Sequence, residues 1–377
     1  MPRTAVEAGR TLLVLGPASV TLIEGEASIL ESPLTQGERV VVLKGRQIPV
    51  ETLSQSFFEL NQGAGSEVQV VEGSTIPNSW REASEAVLEA GGRVVVIGGV
   101  DAGKSTFCTY LINSSIKAGL ETALVDADVG QADVGPPATI SLASAKKHVR
   151  ALTSLRAEAL IFVGHISPGP IVERVISGIA RLKAKISSSA KQSIVNTDGW
   201  IEGEQAVAYK MRIVDEVSPD LVIGIGENGK LDPILNRVKT PSLTVQCPTA
   251  VRRRSREERK QLREFGYRRY LQKTKVGYLH FDRLKSMSFE AGETGLTRKK
   301  TFDVGGLREM VNSMLGFLDE DGWLLGIGIL LDADAGRRVI KVSTPIQLED
   351  VRGIEVGAVK LAEDGRELAY MAEPNTG

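Results

Sequence analysis

The sequence contains few of the residues that build disulfide-stabilised or metal-binding proteins. Its two cysteines, Cys108 and Cys247, lie far apart in a chain of 377 residues. They provide neither a disulfide framework nor the spacing of a cysteine metal site, and they fit a reducing compartment. The three histidines are also dispersed. We expect His165 to be a structural residue at a strand end, and His148 and His280 have no neighbours that suggest chemistry.

Long apolar segments are missing as well. The longest run, WLLGIGILL at residues 323–331, is too short to span a bilayer. The first ten residues lack the apolar core of a secretory signal. A net charge of −1, with 42% hydrophobic and 25% charged residues, is ordinary for a soluble globular protein. We therefore expect a soluble, intracellular, cytoplasmic protein with no membrane partner, and the length indicates two or three domains.

The pattern of apolar runs divides the chain into three parts. Residues 1–76 contain short β-type runs separated by Gly and Pro turns, which predicts a small β domain. In residues 77–275 apolar runs alternate with helical patterns, which is typical of a parallel sheet covered on both faces. Residues 276–377 return to β-type runs and predict a second small β domain.

A phosphate-binding motif lies at the start of the middle part. GGVDAGKS has the form G-x-x-x-x-G-K-[ST], and it follows the apolar run RVVVI and precedes a helical pattern. Gly98 and Gly103 let backbone N–H groups face the phosphates, and the helix N-terminus favours negative charge. Lys104 would reach the β- and γ-phosphates, and Ser105 would ligate Mg²⁺. The predicted fold class is α/β: a central P-loop NTPase domain with a parallel sheet and helices on both faces, flanked by small N-terminal and C-terminal β-rich domains.

Two carboxylates follow the next apolar run, in LVDADVGQ. A residue at the end of a parallel strand lies on the phosphate side of the sheet. Asp126 and Asp128 are two positions apart, so on an extended strand they would share one face. One would serve the metal shell and the other would activate a nucleophile. Gln131 would orient the nucleophile or the γ-phosphate, or it is a solvated loop residue.

A strongly basic segment closes the middle part. Residues 251–275 hold eleven Lys or Arg against three Glu, a net charge of +8 that leaves −9 for the rest of the chain. On a helix near residues 252–271, Arg252, Arg256, Arg259 and Arg263 would form one stripe. Because so few acidic residues are available to pair with them, these arginines indicate an anionic partner. That partner is either a triphosphate, closed over by an arginine, or a nucleic-acid backbone.

The order of the motifs resembles a known family. GGVDAGKST (98–106), DADVGQ (126–131), GHISPGP (164–170), TDGW (197–200) and RSREERKQLREFGYRRYL (254–271) occur in the order found in the polynucleotide 5′-hydroxyl kinases. That family includes archaeal polynucleotide kinases and the eukaryotic RNA kinases of pre-mRNA cleavage, tRNA splicing and pre-rRNA processing. The resemblance covers the whole chain, because the family also has the two flanking β domains. The compact three-domain form looks most like the archaeal members.

The resemblance implies a role for each matching residue. Asp128 would accept the proton of the 5′-hydroxyl and Asp126 would help to order the metal shell, although the two roles could be exchanged. Arg259 and Arg263 match the family's lid arginines. The lead into the lid, CPTAVRRRS, departs from the proline-rich lead of many members. The ATP-binding set would comprise Gly98, Gly99, Asp101, Ala102, Gly103, Lys104, Ser105, Thr106 and Gln131, with Asp101 facing the reaction centre. The substrate-binding set would comprise Thr197, Gly199 and Trp200, whose indole stacks on the terminal nucleotide, together with Arg252 and Arg256.

These expectations combine into one function and its alternatives. The resemblance implies an ATP- and Mg²⁺-dependent kinase that phosphorylates 5′-OH ends of RNA and, as a further substrate, DNA. RNA-processing proteins are its expected protein partners. The alternative is an ATP-binding, non-catalytic scaffold subunit of an RNA-processing complex. A P-loop kinase of a small metabolite would leave the basic helix and the flanking β domains unexplained.

Overall fold

The computed structural model describes residues 3–227, 229–284, 286–288, 309–334 and 336–371. Residues 1–2, 228, 285, 289–308, 335 and 372–377, which fall within the three predicted domains, lie outside the described residues. In the described ranges, no helix combines the length and apolar content that crossing a membrane requires.

The N-terminal region forms two antiparallel sheets, with strand orders β1-β8-β3-β6 and β5-β4-β7-β2-β9. Leu12, Val14, Val50 and Phe58 are buried in its core, as expected for antiparallel sheets with one face turned inward. The strands are β1 Arg3–Val6, β2 Arg10–Leu15, β3 Ala18–Glu24, β4 Ala27–Ile29, β5 Ser32–Pro33, β6 Arg39–Val42, β7 Gln47–Thr52, β8 Ser56–Gln62 and β9 Glu67–Glu72.

The central sheet has the order β13-β12-β11-β14-β10-β15-β16. Its strands are β10 Gly92–Gly98, β11 Thr122–Ala127, β12 Thr139–Ala145, β13 Ala159–Phe162, β14 Gln192–Thr197, β15 Leu221–Ile225 and β16 Ser242–Val245. Five of them, β11, β14, β10, β15 and β16, are parallel, which confirms the mostly parallel sheet. β12 is antiparallel to both its neighbours. The apolar runs did not predict β12, because TISLASA has no continuous apolar run.

Helices cover both faces of this sheet. Val94 and Val96 point into one core with residues of α1 and α2, whereas Val95 and Ile97 point into another with residues of α3 and α4. This alternation along β10 is what a strand buried on both faces requires. The helices are α1 Asn78–Ala90, α2 Lys104–Lys117, α3 Val172–Ala184, α4 Glu204–Val217, α5 Asp232–Leu235 and α6 Arg256–Tyr270.

The C-terminal region is a third β layer, which confirms the β-rich flanks. Its strand order is β17-β21-β20-β19-β22-β18, with β23 also paired to β22. All pairs are antiparallel except β18 with β22. The strands are β17 Lys275–His280, β18 Ser286–Ser288, β19 Ser313–Leu318, β20 Leu324–Asp334, β21 Val339–Thr344, β22 Gly353–Leu361 and β23 Glu367–Tyr370.

Phe162 joins the central sheet to the C-terminal sheet. Its buried ring lies against Gly316 of β19 and Gly357 of β22, where an added Cβ would approach ring atoms to 2.5 and 3.1 Å respectively. The Gly164 carbonyl accepts a hydrogen bond from the Ala358 N–H at 2.8 Å beside the ring. The two domains therefore meet through backbone, at a distance that only glycine permits.

We predict that Gly316→Ala destabilises the protein by about 1–3 kcal/mol, because the new methyl group overpacks the contact with Phe162. Chemical unfolding monitored by circular dichroism measures the loss. Gly336→Ala is the matched control: Gly336 is exposed, and its added Cβ would lie at an ordinary 3.5 Å from the Asp334 carboxylate. Equal stability of the two variants would contradict the proposed importance of this contact.

Candidate active site

The phosphate loop connects β10 to α2, as the motif predicted. Gly103, with φ +97°, is the residue that precedes the first turn of α2. Gly98 passes so close to β15 that a Cβ would lie 2.8 Å from the Ile225 carbonyl oxygen. The Lys104 Nζ donates to the Gly99 carbonyl oxygen at 2.8 Å. The lysine is thus held over the loop, where backbone N–H groups and the helix N-terminus favour phosphate.

Asp126 and Asp128 do not share one face of the cavity, contrary to the expectation from their spacing. β11 ends at Ala127, so Asp128 already belongs to the loop and lines the cavity. Asp126 is fully buried below it, and one of its oxygens accepts the N–H groups of Asp133 and Val134 at 2.8 and 3.1 Å. Its other oxygen accepts an Asn196 side-chain N–H at 3.0 Å. Metal ligation by Asp126 stays a prediction that this placement does not favour.

The surroundings of the two carboxyl groups change their acidity in the same direction. Burial raises the pKa of Asp128, against the opposing charge of Lys104. Burial, together with the Asp133 and Asp128 carboxylates, raises the pKa of Asp126 to about 7. A raised pKa brings a carboxylate closer to the acidity at which it exchanges protons efficiently near neutral pH. Asp128 has this property and is also accessible from the cavity.

Trp200 is supported by a buried polar network that the sequence analysis missed. Asp198 accepts the Trp200 backbone N–H at 2.9 Å, the Tyr209 hydroxyl at 2.8 Å and the Lys210 Nζ at 2.9 Å. The Lys210 side chain is 0% exposed and that of Asp198 is 5% exposed. The Tyr209 ring also packs 5.6 Å from the Trp200 ring, centroid to centroid. These contacts fix the backbone and one side of the indole, which lines the cavity.

The basic segment forms a shorter helix than expected. α6 begins at Arg256 because Ser255 caps it: the Ser255 hydroxyl accepts the Glu258 N–H, and the Glu258 carboxylate accepts the Ser255 N–H. This capping box has the S-x-x-E signature and was available in the sequence. Arg252 therefore precedes the helix, where it pairs with Glu258. The predicted four-arginine stripe is wrong for Arg252.

The basic segment of residues 252–271, which contains α6 and is called the lid below, is tied to the phosphate loop by Asp101. The Asp101 carboxylate accepts the Arg254 backbone N–H at 2.9 Å and the Arg254 side chain at 3.1 Å. It also accepts an Arg259 N–H at 3.2 Å. Asp101 has a positive φ of 58°, a conformation that Asp tolerates better than most residues. Arg254 was not predicted, because it does not lie on the helical face that Arg252, Arg256, Arg259 and Arg263 were expected to share.

One cavity of about 990 Å³ collects most of the predicted residues. Those in its lining are Asp101, Ala102, Gly103, Lys104, Ser105, Thr106, Asp128, Gln131, Gly199, Trp200, Arg259 and Arg263. Those outside the lining are Gly98, Gly99, Asp126, Thr197, Arg252 and Arg256. Thr197 is fully buried and donates to the Val96 carbonyl oxygen at 2.8 Å, and Arg256 is exposed at the start of α6.

Residues from the flanking domains also line the cavity and were not predicted. Arg46 of the N-terminal region pairs with Asp133 at 2.5 Å, and both line the cavity. Tyr370 of β23 lines it too, with its hydroxyl 3.1 Å from His165 Nδ1. Asp198 was detectable, since it lies inside the TDGW motif. Arg46 and Tyr370 carry no local signal, because only tertiary contacts bring them to the site.

A smaller cavity of about 110 Å³ adjoins the phosphate loop. It shares Asp101, Gly103, Thr106 and Arg254 with the larger cavity. The rest of its lining is largely apolar and comes from the N-terminal region, α1 and the lead into α6, as Leu13, Pro49, Ile76, Trp80, Pro248 and Val251 illustrate. An apolar pocket beside a phosphate site is suited to a flat, weakly polar group attached to the phosphates.

We predict that Lys210→Met destabilises the protein by about 3–5 kcal/mol, because Asp198 would keep a buried charge without its cation. Denaturant unfolding gives the value. The control is Arg212→Met on the same helix, which removes an ion pair with Glu173 between side chains 41% and 52% exposed and should change stability by no more than about 1 kcal/mol. A Lys210→Met variant as stable as the control would contradict the stabilising role of the buried Asp198–Lys210 pair.

Comparisons with known proteins agree with the motifs. The family described as mRNA cleavage and polyadenylation factor CLP1 P-loop matches residues 98–273. A polyribonucleotide 5′-hydroxyl-kinase of Pyrococcus furiosus is 29% identical over 339 residues, covering 78% of this chain and 96% of the relative. The corresponding protein of Methanocaldococcus jannaschii is 28% identical over 326 residues, covering 74% and 90%. Polyribonucleotide 5′-hydroxyl-kinase Clp1 of Danio rerio is 28% identical over 221 residues, covering 53% and 48%.

The fold is similar to that of a solved structure. The structure of wild-type Clp1p in complex with Pcf11p superposes with a TM-score of 0.75 at 11% identity, covering 95% of this chain and 97% of Clp1p. At that identity the likeness concerns the fold alone, and it extends over the flanking β layers as well as the central sheet. Residues 98–273 thus match the CLP1 P-loop family, and most of the chain is similar to archaeal polyribonucleotide 5′-hydroxyl-kinases.

Proposed function

We propose that this protein is an ATP-dependent polynucleotide 5′-hydroxyl kinase that phosphorylates the 5′-OH end of RNA. One observation carries the proposal: the phosphate loop, Asp128, Trp200 and two lid arginines line a single cavity. A phosphoryl donor site, a proton acceptor and an aromatic platform thus face the same space. The archaeal relatives that match most of the chain are named polyribonucleotide 5′-hydroxyl-kinases.

The donor is ATP, as P-loop kinase families imply. Lys104 and the loop N–H groups bind its β- and γ-phosphates, and the smaller apolar cavity beside Thr106 receives its base. Trp80 provides an aromatic wall there, and its indole N–H is already used by the Gln246 carbonyl oxygen at 2.9 Å. The base is therefore bound mainly by shape and apolar contact.

Mg²⁺ fits the oxygen donors that face the phosphates. Ser105 lines the cavity directly after the loop lysine, and its hydroxyl is the kind of oxygen ligand that Mg²⁺ prefers. Within the described ranges, no three His, Cys, Asp or Glu side chains come together to hold a metal ion. That agrees with an ion held partly by substrate phosphates instead of an all-protein cage. When bound, Mg²⁺ would neutralise charge on the β- and γ-phosphates.

The acceptor end is bound at Trp200, in the same cavity as the phosphate loop. Trp200 offers the face of its indole to the terminal base, a contact that tolerates any base. The exposed arginines at and just before the start of α6, Arg252, Arg253 and Arg256, attract the phosphate backbone that follows. Trp200 and the lid therefore favour a polynucleotide over a small metabolite.

Phosphoryl transfer needs a proton acceptor and charge stabilisation. The 5′-hydroxyl oxygen attacks the γ-phosphorus, the bond to the bridging oxygen of ADP breaks, and Asp128 takes the hydroxyl proton. Lys104 and the lid arginines offset the charge that develops on the transferred group. Asp126 holds the backbone of the following loop through the N–H groups of Asp133 and Val134. We therefore assign it a structural role behind Asp128.

The scaffold alternative and the protein partners follow from the same family. Clp1p was solved in complex with Pcf11p, and we keep RNA-processing proteins as a proposed class of partner for this chain. A scaffold has no need of a proton acceptor or of arginines facing the γ-phosphate. Transfer of label from γ-labelled ATP to 5′-OH RNA, 5′-OH DNA and 5′-phosphate RNA tests the choice. No transfer to any of these oligonucleotides, with ATP still bound, would favour the scaffold.

We predict that Lys104→Ala abolishes this transfer while unfolding stability changes little, because its ammonium group binds the transferring phosphate. The rate of transfer should be at least about 100-fold below that of the wild type. Lys117→Ala at the other end of α2 is the control: it removes an exposed lysine paired with Glu31 at 2.8 Å and should retain normal activity. Near-normal transfer by Lys104→Ala would refute the kinase proposal.

We predict that Trp200→Ala lowers kcat/KM for an RNA oligonucleotide by about 5- to 150-fold, corresponding to one lost base stack of about 1–3 kcal/mol. The Kd for ATP should stay nearly unchanged, and ATP hydrolysis should not increase. Trp200→Phe keeps an aromatic face and should recover much of the activity. A loss of ATP affinity with unchanged oligonucleotide kinetics would instead assign Trp200 to the donor pocket.

A further inference from the structure

The C-terminal domain reaches the lid through one buried ion pair. The Arg263 Nε and Nη2 donate to the two carboxylate oxygens of Glu367 at 2.6 and 2.9 Å. The side chains are only 14% and 8% exposed. The Glu367 backbone N–H also donates to Glu264 of the lid at 3.1 Å. Strand β23 is thus fixed to α6 at the turn that carries Arg263.

The geometry of the pair leaves part of the arginine available. A guanidinium group presents its donors in a fixed planar fork. Glu367 occupies the Nε–Nη2 edge, whereas Nη1 makes no hydrogen bond within the described part of the chain. Arg263 also lines the large cavity. Glu367 therefore fixes the plane of the guanidinium without using all of its donors.

We propose that Glu367 is a positioning residue for phosphoryl transfer, which acts by holding Arg263 in the cavity wall with Nη1 free for the transferring phosphate. This inference rests on the proposed kinase function. A long arginine loses considerable rotamer freedom when it is fixed, and here the carboxylate fixes it before the substrate arrives. Charge stabilisation by a preorganised group needs no rearrangement during the reaction. The C-terminal domain thereby contributes to catalysis through Arg263.

Other contacts already attach the lid to the C-terminal domain, so adhesion alone does not account for the pair. Tyr267 is fully buried in a core shared with β19, β20 and β22. Arg268 donates to the Asp364 carbonyl oxygen at 3.0 Å on the exposed side of the lid. Among these lid residues only Arg263 both contacts the C-terminal domain and lines the cavity. The same strand continues to Tyr370, which lines the cavity itself.

The test is a double-mutant cycle on kinase activity with Arg263→Ala, Glu367→Ala and the double variant. We expect Glu367→Ala to lower kcat by about 10- to 100-fold, the cost of a misplaced catalytic group, with KM for ATP within about twofold. Because Glu367 acts through Arg263, the double variant should be no slower than Arg263→Ala. Losses that multiply, or an unchanged kcat in Glu367→Ala, would overturn the proposal.

Two further variants separate positioning from stability. Arg268→Ala removes a different contact between the lid and the C-terminal domain, the one to the Asp364 carbonyl oxygen, and should keep normal kcat. Glu367→Gln preserves volume and one acceptor, should fold if Glu367→Ala does not, and should show an intermediate kcat. A kcat loss in Arg268→Ala equal to that of the Glu367 variants would assign the effect to loosening of the lid and would contradict the proposal.

A measurement independent of activity separates this inference from the proposed function. In ¹⁵N-arginine-labelled protein, the Arg263 Nε–H should exchange slowly with water, and Glu367→Gln should accelerate that exchange. Fast exchange of the Arg263 Nε–H in the wild type would show that Glu367 does not hold Arg263, and would overturn the proposal whatever the activity. A wild type that has the protected signal but transfers no phosphate would refute the kinase function, and with it the catalytic meaning of the pair.

Discussion

The carboxylate of Asp101 connects the two parts on which the site depends. It sits at the turn of the phosphate loop and accepts the backbone and side chain of Arg254 together with the side chain of Arg259. Its side chain is only 10% exposed, so these charge-assisted hydrogen bonds face little competition from water. The lid is therefore held over the loop by the loop itself.

Each flanking β domain adds a second connection of the same chemical kind. Arg46 of the N-terminal region pairs with Asp133, and Arg263 of the lid pairs with Glu367 of the C-terminal region. In each pair a carboxylate binds a guanidinium at the cavity wall. The central domain supplies the phosphate loop, Asp128 and the lid. The N-terminal region contributes Arg46 to the wall, and the C-terminal region holds Arg263 of the lid through Glu367. This arrangement explains why a +8 segment is stable: its cavity-facing arginines are matched by carboxylates from elsewhere in the chain.

Local patterns predicted the elements that depend on local physics. The continuous apolar runs gave the parallel strands, because a strand buried on both faces has no polar alternation. The phosphate loop was recognisable because glycines, Lys104 and the flanking strand and helix must be adjacent in sequence to work. Trp200 and Asp128 could be placed at strand ends because each lies at the end of an apolar run in the sequence. β12 was missed because its small residues carry no comparable apolar signal, and the helix start at Arg256 was missed because the Ser255–Glu258 cap was overlooked.

The sequence alone therefore determined the α/β class, the β-rich flanks, the phosphate loop and twelve of the residues that line the cavity. Tertiary structure decided which acidic residue is accessible. β11 ends at Ala127, so Asp126 stays buried in the strand whereas Asp128 lies in the loop that lines the cavity. Tertiary structure also decided how the arginines are held, since Asp101, Asp133 and Glu367 reach them from 87 to 158 positions away. Electrostatic pairing depends on distance in space and leaves no periodic trace along the chain, so these contacts became visible only in the folded protein.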